Sequence, residues 1–322
     1  MTILNIGGAG YIGSVATEKF IQHGHKVIVL DDLSTGFKQL VHPKAKFIFG
    51  SMLNYKLLNN IFKANKIDIV TLYAAKIVVY ESMNKPIDYY ETNIHGLTNI
   101  LKVMHKNNVK NILFTSSAAV YGKKDKMPLS ELSKTEPCNP YGMSKLICEE
   151  IIKSVCQIHK MNYVIFRFFN VAGASDSKKY GMLKTNPSLL IPCINNAIIN
   201  NKTIYIYGDK YKTKDGTCLR DYIHVEDLAN AALLALKYLS KNKSNTFCLG
   251  TNNGYSVLDI VKLCKKYLCP KLKYIIKPNR KGDPDKLIAN NVKVKKILNW
   301  TCKYNLKDMI ISDYHFRKKY IK

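Results

Sequence analysis

The chain has 322 residues, of which 47% are hydrophobic and 23% charged. This composition supports a substantial buried core and excludes an extended disordered chain. The 50 basic and 23 acidic residues leave a formal net charge of +27, which would suit nucleic acid or an anionic surface. Only four of the basic residues are arginines, and direct base readout depends on the bidentate guanidinium group. We therefore expect no specific nucleic-acid partner, while loose affinity for polyanions stays open.

The N-terminal residues and the cysteines indicate a compartment. The first residues run straight into a glycine turn without a secretory leader, and no run of about 18 apolar residues could span a membrane. The nine cysteines form no C-x-x-C pair and have no histidines at zinc spacing. We expect a cytoplasmic chain with reduced thiols, no metal site and no membrane span.

Short β-rich runs alternate with helical patterns in the first half of the chain. This alternation predicts βαβ units, and hence a doubly wound parallel Rossmann sheet in an α/β fold. After residue 170 the pattern changes to turn-rich stretches, which predicts a smaller C-terminal α/β substrate domain. We expect domains at 1–170 and 171–322, with some later segments free to return to the first. In chain order the predicted elements are strand Thr2–Ile6, helix Tyr11–Gln22, strands Lys26–Leu30 and Lys46–Phe49, helix Tyr55–Ala64, strand Ile67–Tyr73, helix Ile87–His105, strand Lys110–Thr115, helix Pro140–Ile158 and strand Tyr163–Phe168.

A glycine-rich turn follows the first strand and opens the first helix. Gly7, Gly10 and Gly13 permit a tight turn, close approach of a pyrophosphate and close packing of helix on strand. The free N–H groups of the helix N-terminus favour an anion. The second strand ends at Asp31, whose carboxylate can accept hydrogen bonds from ribose hydroxyls and would repel a 2′-phosphate. The pattern predicts an NAD site and disfavours NADP.

A tyrosine and a lysine four residues apart indicate acid/base chemistry. Tyr141 and Lys145 lie on one face of the predicted helix. A nearby ammonium and a nicotinamide cation both favour the phenolate form of a tyrosine, which could then accept a hydroxyl proton. Ser117, at the end of the preceding strand, could hydrogen-bond the same reacting oxygen. Each feature also has a structural explanation, since Y-x-x-x-K arises by chance and serines cap helices.

Seven segments together resemble the extended short-chain dehydrogenase/reductase family, and within it the UDP-galactose 4-epimerases. The resemblance covers nearly the whole chain, and the segment at 215–229 is its most specific part. Three of the four arginines fall within these segments, where permanently charged planar donors suit phosphate oxygens. The segments are GGAGYIGS (7–14), KPIDYYETNIHG (85–96), FTSSAAVYG (114–122), NPYGMSK (139–145), RFFNVAGA (167–174), DGTCLRDYIHVEDLA (215–229) and RKGDP (280–284).

The resemblance implies roles for individual residues. Tyr141 is the implied acid/base, Lys145 lowers its pKa and holds the nicotinamide ribose, and Ser117 contacts the sugar hydroxyl. Tyr141 and Lys145 thus also contact the cofactor, and Tyr141 the sugar. Further cofactor contacts are expected at Tyr11, Ile12, Asn93, Ser116 and Phe168. Contacts with the UDP-sugar are expected at Asn170, Tyr207, Arg220, Arg280 and Asp283.

Several positions depart from the family pattern, among them Ile6, Ser51, Leu72, Lys76, Leu189 and Leu287. Ser51 stands where an aspartate normally meets adenine, which weakens the adenine side of the site. Lys76, within the altered stretch 72–77, lies one residue before the expected nicotinamide-side lysine, so its side chain could face the wrong way and we leave it out of the site. Leu287 occupies the position that governs room for an N-acetyl group.

The implied activity is NAD-dependent interconversion of UDP-glucose and UDP-galactose through a 4-keto intermediate. Another UDP-sugar remains an alternative substrate, either UDP-N-acetylglucosamine or a pentose. A nucleotide-sugar 4,6-dehydratase would need an added acid/base pair, typically Thr-Asp-Glu where this chain has residues 115–117, Thr-Ser-Ser. A non-catalytic NAD-binding regulator is the alternative of another class. The resemblance also implies a homodimer, joined through the helices at Ile87–His105 and Pro140–Ile158.

Overall fold

The computed structural model describes residues 1–279 and 284–320. The chain divides into two compact units built from interleaved segments. Unit 1 comprises Met1–Gly122, Lys134–Arg167 and Ala229–Phe247, and unit 2 comprises Lys123–Ser133, Phe168–Leu228 and Cys248–Lys322. Within the described residues, no helix is both long enough and apolar enough to cross a bilayer.

The described residues form strands and helices that we number in chain order. The strands are β1 (Thr2–Ile6), β2 (Lys26–Asp31), β3 (Lys46–Phe49), β4 (Ile69–Leu72), β5 (Asn111–Ser117), β6 (Asn162–Phe168), β7 (Asn170–Ala172), β8 (Ile204–Tyr207), β9 (Leu219–His224), β10 (Asn245–Leu249), β11 (Gly254–Ser256), β12 (Tyr274–Lys277) and β13 (Lys286–Leu287). The α-helices are α1 (Tyr11–Gln22), α2 (Tyr55–Ala64), α3 (Val79–Asn84), α4 (Pro86–Tyr90), α5 (Gly96–Lys106), α6 (Pro140–Ile158), α7 (Leu190–Ile199), α8 (Val225–Leu239), α9 (Val257–Tyr267), α10 (Val292–Leu298) and α11 (Leu306–Tyr320).

A seven-stranded sheet with the order β10-β6-β5-β4-β1-β2-β3 organises unit 1. Strand β1 lies parallel to both β2 and β4, as the crossover helices require. The predicted doubly wound α/β sheet is confirmed, and all six predicted strands occur within two residues of their predicted bounds. The seventh strand, β10, was not predicted. It enters the sheet from the second half of the chain, where local pattern gives no indication of its partner.

The core of unit 1 lies where helices cover this sheet. Apolar side chains of the central strands are fully buried against α2, α5 and α6, for example Leu4, Val70 and Ile112 on the strands and Leu58 and Ile152 on the helices. Such near-continuous apolar strands are typical of a parallel sheet that is covered on both faces. The carboxyl ends of these strands therefore extend from a well-packed core.

The helix predicted at Ile87–His105 is interrupted. Pro86 begins the short helix α4, a π-helical segment follows at Glu91–His95, and α5 begins at Gly96. A π segment inserts one extra residue into a helix and so rotates the side chains that follow. The apolar periodicity was too coarse to reveal this change of hydrogen bonding.

Unit 2 contains two smaller sheets. Strand β9 is central to the first, pairing with β7, β11 and β13, and the second consists of β8 and β12. Helices α7, α9 and α11 contribute a separate core that includes Ile194, Ile260 and Ile310. The guanidinium of Arg317 on α11 is fully buried and donates to Asp313 on the same helix. This arginine therefore has a structural role in unit 2.

Candidate active site

The glycine turn after β1 is as tight as its sequence predicts. Gly7 has a φ of +87°, and a Cβ on Gly13 would lie 2.2 Å from the carbonyl oxygen of Gly7. A Cβ on Gly10 would meet only that oxygen, at 3.3 Å. Gly10 is the N-cap of α1 and has no side chain to offer the N–H groups of the first turn. Tyr11 and Ile12 belong to that turn, so the geometry fits the pyrophosphate of a dinucleotide.

Asp31 ends β2 beside the same turn. Its Oδ2 accepts a hydrogen bond from the Ala9 N–H (2.9 Å) and its Oδ1 accepts one from the Leu33 N–H (2.9 Å). Burial raises the pKa of this carboxyl, and the two N–H donors oppose that rise. The sequence predicted a ribose contact here. It did not predict that the same carboxylate also fixes the position of the glycine turn.

Asn5 is a buried residue that the sequence analysis missed. Its side-chain amide donates to the Gly13 carbonyl (3.0 Å) and to Thr17 Oγ1 (2.6 Å), and its Oδ1 accepts from Thr71 Oγ1 (3.1 Å). All three polar side chains are fully buried. They tie the start of α1 to the strands below it. A polar residue within an apolar strand was the available indication of this role.

Tyr141 lies in the first turn of α6. Asn139 caps this helix by accepting a hydrogen bond from the Gly142 N–H (2.8 Å), and Pro140 occupies the first helical position. The phenol is half-buried, and its ring meets that of Tyr89 edge-on at 6.4 Å between centroids. Burial raises the pKa of Tyr141, while a hydrogen bond with Ser117 opposes that rise. The structure thus brings Tyr141 and Ser117 together.

Lys145 lies one turn further along α6 and is almost completely buried. Its Nζ donates to the carbonyl oxygen of Thr115 at 2.8 Å, which anchors the ammonium to the end of β5. The same nitrogen lies 4.9 Å from the ring centroid of Phe114. Burial lowers the pKa of Lys145 to about 8, against the opposing effects of Cys148 and Glu149. The predicted arrangement of phenol and ammonium on one helical face is therefore present.

Asn93 lies within the π-helical segment and joins two parts of the site. Its amide donates to Ser144 Oγ (2.9 Å) on α6 and to the Lys76 carbonyl (3.1 Å), and its Oδ1 accepts from the Lys76 N–H (2.9 Å). Ser144 in turn donates to the carbonyl oxygen of Tyr141. Asn93 thus fixes the backbone that follows β4 against the start of α6. A cofactor contact of this residue remains a prediction.

Two departures from the family pattern have defined positions. The ammonium of Lys76 pairs with Asp88 Oδ2 at 3.2 Å, so the side chain is engaged with α4. Ser51 accepts a hydrogen bond from the Leu53 N–H at 3.3 Å in the loop before α2.

The side chain of Ser116 has a different hydrogen-bond partner from those of Thr115 and Ser117. Its hydroxyl donates to Glu149 Oε1 at 2.5 Å, and the residue is 3% exposed. Glu149 also binds Arg167, whose Nη2 donates to Oε2 at 2.6 Å. The sequence analysis expected Ser116 at the cofactor and missed Glu149. The position of Glu149, four residues after Lys145 on a helix, could have identified it as an acidic group beside the ammonium.

The substrate residues predicted in the second half of the chain lie in unit 2. Asn170 on β7 pairs in register with Tyr222 on β9. Arg220, also on β9, is 9% exposed and its Nη1 donates to the Leu219 and Pro284 carbonyl oxygens, both at 2.8 Å. Tyr207 ends β8 with 42% of its surface exposed, and Phe168, at the end of β6, is 9% exposed. The predicted substrate residues Arg280 and Asp283 lie outside the described residues.

The acidic, histidine and cysteine side chains of the described residues form no metal centre. Within residues 1–279 and 284–320, no group of three or more such side chains could hold a metal ion.

Comparisons with known proteins agree with this geometry. The chain is 42% identical to a UDP-glucose 4-epimerase of Lactobacillus helveticus over 325 residues, which covers 100% of this chain and 98% of the relative. It matches a crystal structure of a UDP-glucose 4-epimerase with a TM-score of 0.96 and 38% identity, over 99% of this chain and 98% of that one. The Bifidobacterium longum UDP-glucose 4-epimerase, solved in complex with NAD+ and UDP, matches with a TM-score of 0.94 and 34% identity over the same shares.

A family model supports the same assignment. The model of the NAD dependent epimerase/dehydratase family matches residues 3–250, which include the glycine turn, β5 and the whole of α6. This match extends over more than half of the chain, and the relatives extend over nearly all of it. The chain therefore belongs to the NAD dependent epimerase/dehydratase family.

Proposed function

We propose that this protein interconverts UDP-glucose and UDP-galactose by inverting C4 of the sugar with NAD as cofactor. The observation that carries the proposal is the arrangement at the start of α6. Tyr141 is hydrogen-bonded to Ser117, and Lys145 is anchored one turn away on the Thr115 carbonyl. The full-length similarity to a UDP-glucose 4-epimerase supports the choice of reaction.

Tyr141, Lys145 and Ser117 have separate roles in the proton transfer of the proposed reaction. NAD, held by the glycine turn, Asp31 and Lys145, would supply the hydride acceptor and donor for C4 of the sugar. Tyr141 removes the proton of the C4 hydroxyl and later gives it back. Lys145, with a pKa of about 8, is largely charged at neutral pH and favours the phenolate form of Tyr141. Ser117 holds the reacting oxygen close to the phenol.

The nucleotide part of the substrate is assigned to unit 2. Arg220 carries a permanent charge suited to a diphosphate, Asn170 lies on the adjacent strand, and Tyr207 offers an exposed ring for uracil. We assign diphosphate and ribose contacts to Arg280 and Asp283 from the resemblance alone. A fixed nucleotide would let the keto sugar rotate and present its other face, because substrate anchoring and chemistry then belong to different groups.

We also propose a homodimer that uses the helices of unit 1. A shallow apolar groove on α6 is lined by Met143, Ile147, Ile151 and Val155. Ile87 on α4 is 64% exposed, and exposed apolar groups of this kind are typical of an interface. Replacing Ile147 by glutamate should yield a monomer in analytical ultracentrifugation. A dimer of unchanged strength would contradict this interface.

The cysteines support a reducing, cytoplasmic location. All nine carry free thiols in the structure, as expected where glutathione and thioredoxin keep cysteines reduced. Detection of the chain in a cell fraction other than the cytoplasm would refute the proposal.

Conversion of UDP-galactose by the purified protein tests the proposed reaction. UDP-glucose as product supports an epimerase, a 4-keto-6-deoxy sugar would indicate a dehydratase, and no turnover would favour an NAD-binding regulator. UDP-N-acetylglucosamine and UDP-pentoses, assayed in parallel, measure the sugar preference at Leu287. Tyr141→Phe should reduce turnover by about 10²–10⁴-fold with UDP-galactose binding retained. Tyr55→Phe, which removes an exposed phenol on α2, is the matched control and should leave turnover unchanged.

A further inference from the structure

The end of β5 presents successive residues to different partners. The carbonyl of Thr115 accepts the Lys145 ammonium, and Ser117 is hydrogen-bonded to Tyr141. Ser116 lies between them, and its hydroxyl donates to Glu149. Because side chains alternate along a strand, the Ser116 contact holds the strand from the side opposite to Ser117. The Glu149 carboxylate thus fixes the end of β5, the strand that contacts both Lys145 and Tyr141.

Glu149 is itself held by an extensively hydrogen-bonded arginine. Arg167 Nε donates to both carboxylate oxygens, at 3.0 and 3.2 Å, and Nη2 donates to Oε2 at 2.6 Å. Arg167 Nη1 donates to the hydroxyl of Tyr121 at 2.9 Å. Glu149 is 0% exposed and Arg167 is 4% exposed. A buried ion pair costs much desolvation free energy, and apolar residues of similar volume often serve stability as well or better. Stability alone is therefore a weak explanation for this pair.

The charge of Glu149 acts on Lys145. The two residues lie one helical turn apart; burial lowers the pKa of the Lys145 ammonium, and Cys148 and Glu149 oppose that fall. Cys148 also faces Lys145, but burial raises the pKa of this thiol to about 12, so it stays neutral near pH 7. Tyr141 is the remaining titratable neighbour on α6. Behind Glu149 lie Arg167 and, at 3.9 Å, the ammonium of Lys153.

We propose that Glu149 and Arg167 are positioning residues of the proposed epimerase reaction. The pair holds the end of β5 so that Ser117 meets Tyr141, and Glu149 keeps the ammonium charge on Lys145. Arg167 orients the carboxylate and balances its charge within the core. This inference rests on the proposed function, because it concerns the proton chemistry of that same site.

Opposite single substitutions separate this role from a purely structural one. Glu149→Gln removes the anion beside Lys145 and leaves Arg167 unpaired, so Lys145 loses its proton at lower pH. The basic limb of the kcat profile for UDP-galactose should then move down by about one pH unit. Arg167→Met leaves the carboxylate without its balancing cation, so the same limb should move up. In both variants kcat should fall more than KM rises, since the nucleotide contacts are unchanged.

A second buried ion pair provides a matched control. Asp313 and Arg317 in unit 2 are both 0% exposed and meet at 3.1 Å. Arg317→Met should lower the thermal midpoint as Arg167→Met does, yet leave the pH profile in place. Thermal unfolding and the NAD content of each purified variant are measured together with the kinetics, so that loss of fold or cofactor is recognised independently of turnover.

The outcomes distinguish the inference from the proposed function. Opposite shifts of the basic limb support the inference, as does recovery of the wild-type profile in Glu149→Asp. Shifts in one direction only, or unshifted profiles with lowered thermal midpoints, overturn it while wild-type turnover keeps the epimerase reaction. If a single variant fails to fold, the double variant Glu149→Gln, Arg167→Met removes both charges together. Because Glu149 acts on Lys145 directly and Arg167 only through Glu149, a downward shift smaller than the one expected of Glu149→Gln supports the inference, and an unshifted profile overturns it. An inactive wild-type protein would refute the proposed function itself.

Discussion

Two glycines of the same turn should respond to alanine to different extents. At Gly13 an added Cβ would lie 2.2 Å from the backbone oxygen of Gly7, a contact that only a movement of the turn or of α1 could relieve. Overpacking of this kind costs about 3 kcal/mol, which corresponds to a fall of roughly 4 °C in the thermal midpoint of a chain of this length. At Gly10 the added Cβ meets the same oxygen at 3.3 Å, and the backbone φ is −84°. Gly10→Ala should therefore cost no more than about 1 kcal/mol.

The same geometry predicts that Gly10→Ala weakens cofactor binding. A methyl group on Gly10 stands beside the first-turn N–H groups of α1, where the pyrophosphate is expected, so NAD affinity should fall by about 10–100-fold, or about 1.4–2.7 kcal/mol. Calorimetric titration of NAD into the purified variants, with thermal unfolding measured in parallel, tests both halves. The reasoning is refuted if Gly10→Ala binds NAD as the wild type does, or if Gly13→Ala unfolds at the wild-type temperature.

Two further predictions concern single hydrogen bonds of the site. Ser117→Ala removes the hydrogen bond that opposes the raised pKa of Tyr141, so the phenolate should form only at higher pH. The acidic limb of the kcat profile should then move up by less than about one pH unit. An unmoved limb would show that Ser117 does not act on the phenol. Asp31→Asn leaves one oxygen to serve the N–H groups of Ala9 and Leu33, and the loss of one acceptor should cost about 1–3 kcal/mol of stability and reduce NAD affinity. Unchanged thermal unfolding together with unchanged NAD binding would contradict that role.

Local pattern was sufficient for the features that depend on neighbouring residues. Within the turn, Gly13 is required because a Cβ there would lie 2.2 Å from the backbone oxygen of Gly7, and Gly7 is favoured by its φ of +87°. The spacing of Tyr141 and Lys145 fixes them on one helical face wherever the helix lies. The strand and helix rhythm of the first half likewise predicted a parallel sheet. These features depend only on residues close together in the sequence, so the same residues would predict them in any chain.

Contacts between distant segments could not be read from the sequence in the same way. The bond of Ser116 to Glu149 joins residues 33 positions apart, and the pairing of Asn93 with Ser144 joins residues 51 apart. The π-helical segment that carries Asn93 differs from an α-helix by one residue, which apolar periodicity does not resolve. Strand β10 became part of the sheet although its neighbour β6 lies far earlier in the chain.

The sequence by itself determined which chemical groups are available and which local backbone forms they require: a glycine turn before a helix, a carboxylate after the second strand, a phenol and an ammonium one helical turn apart. Only the tertiary structure decided the hydrogen-bond partners of those groups. Asp31 accepts from the N–H of the glycine turn, Ser116 donates to Glu149, and Lys145 donates to the Thr115 carbonyl at the end of β5. The physical reason is that local conformation follows from short-range sterics and hydrogen bonding, whereas side-chain partners are chosen by burial, which forces each polar group in the core to find a donor or acceptor wherever the chain brings one.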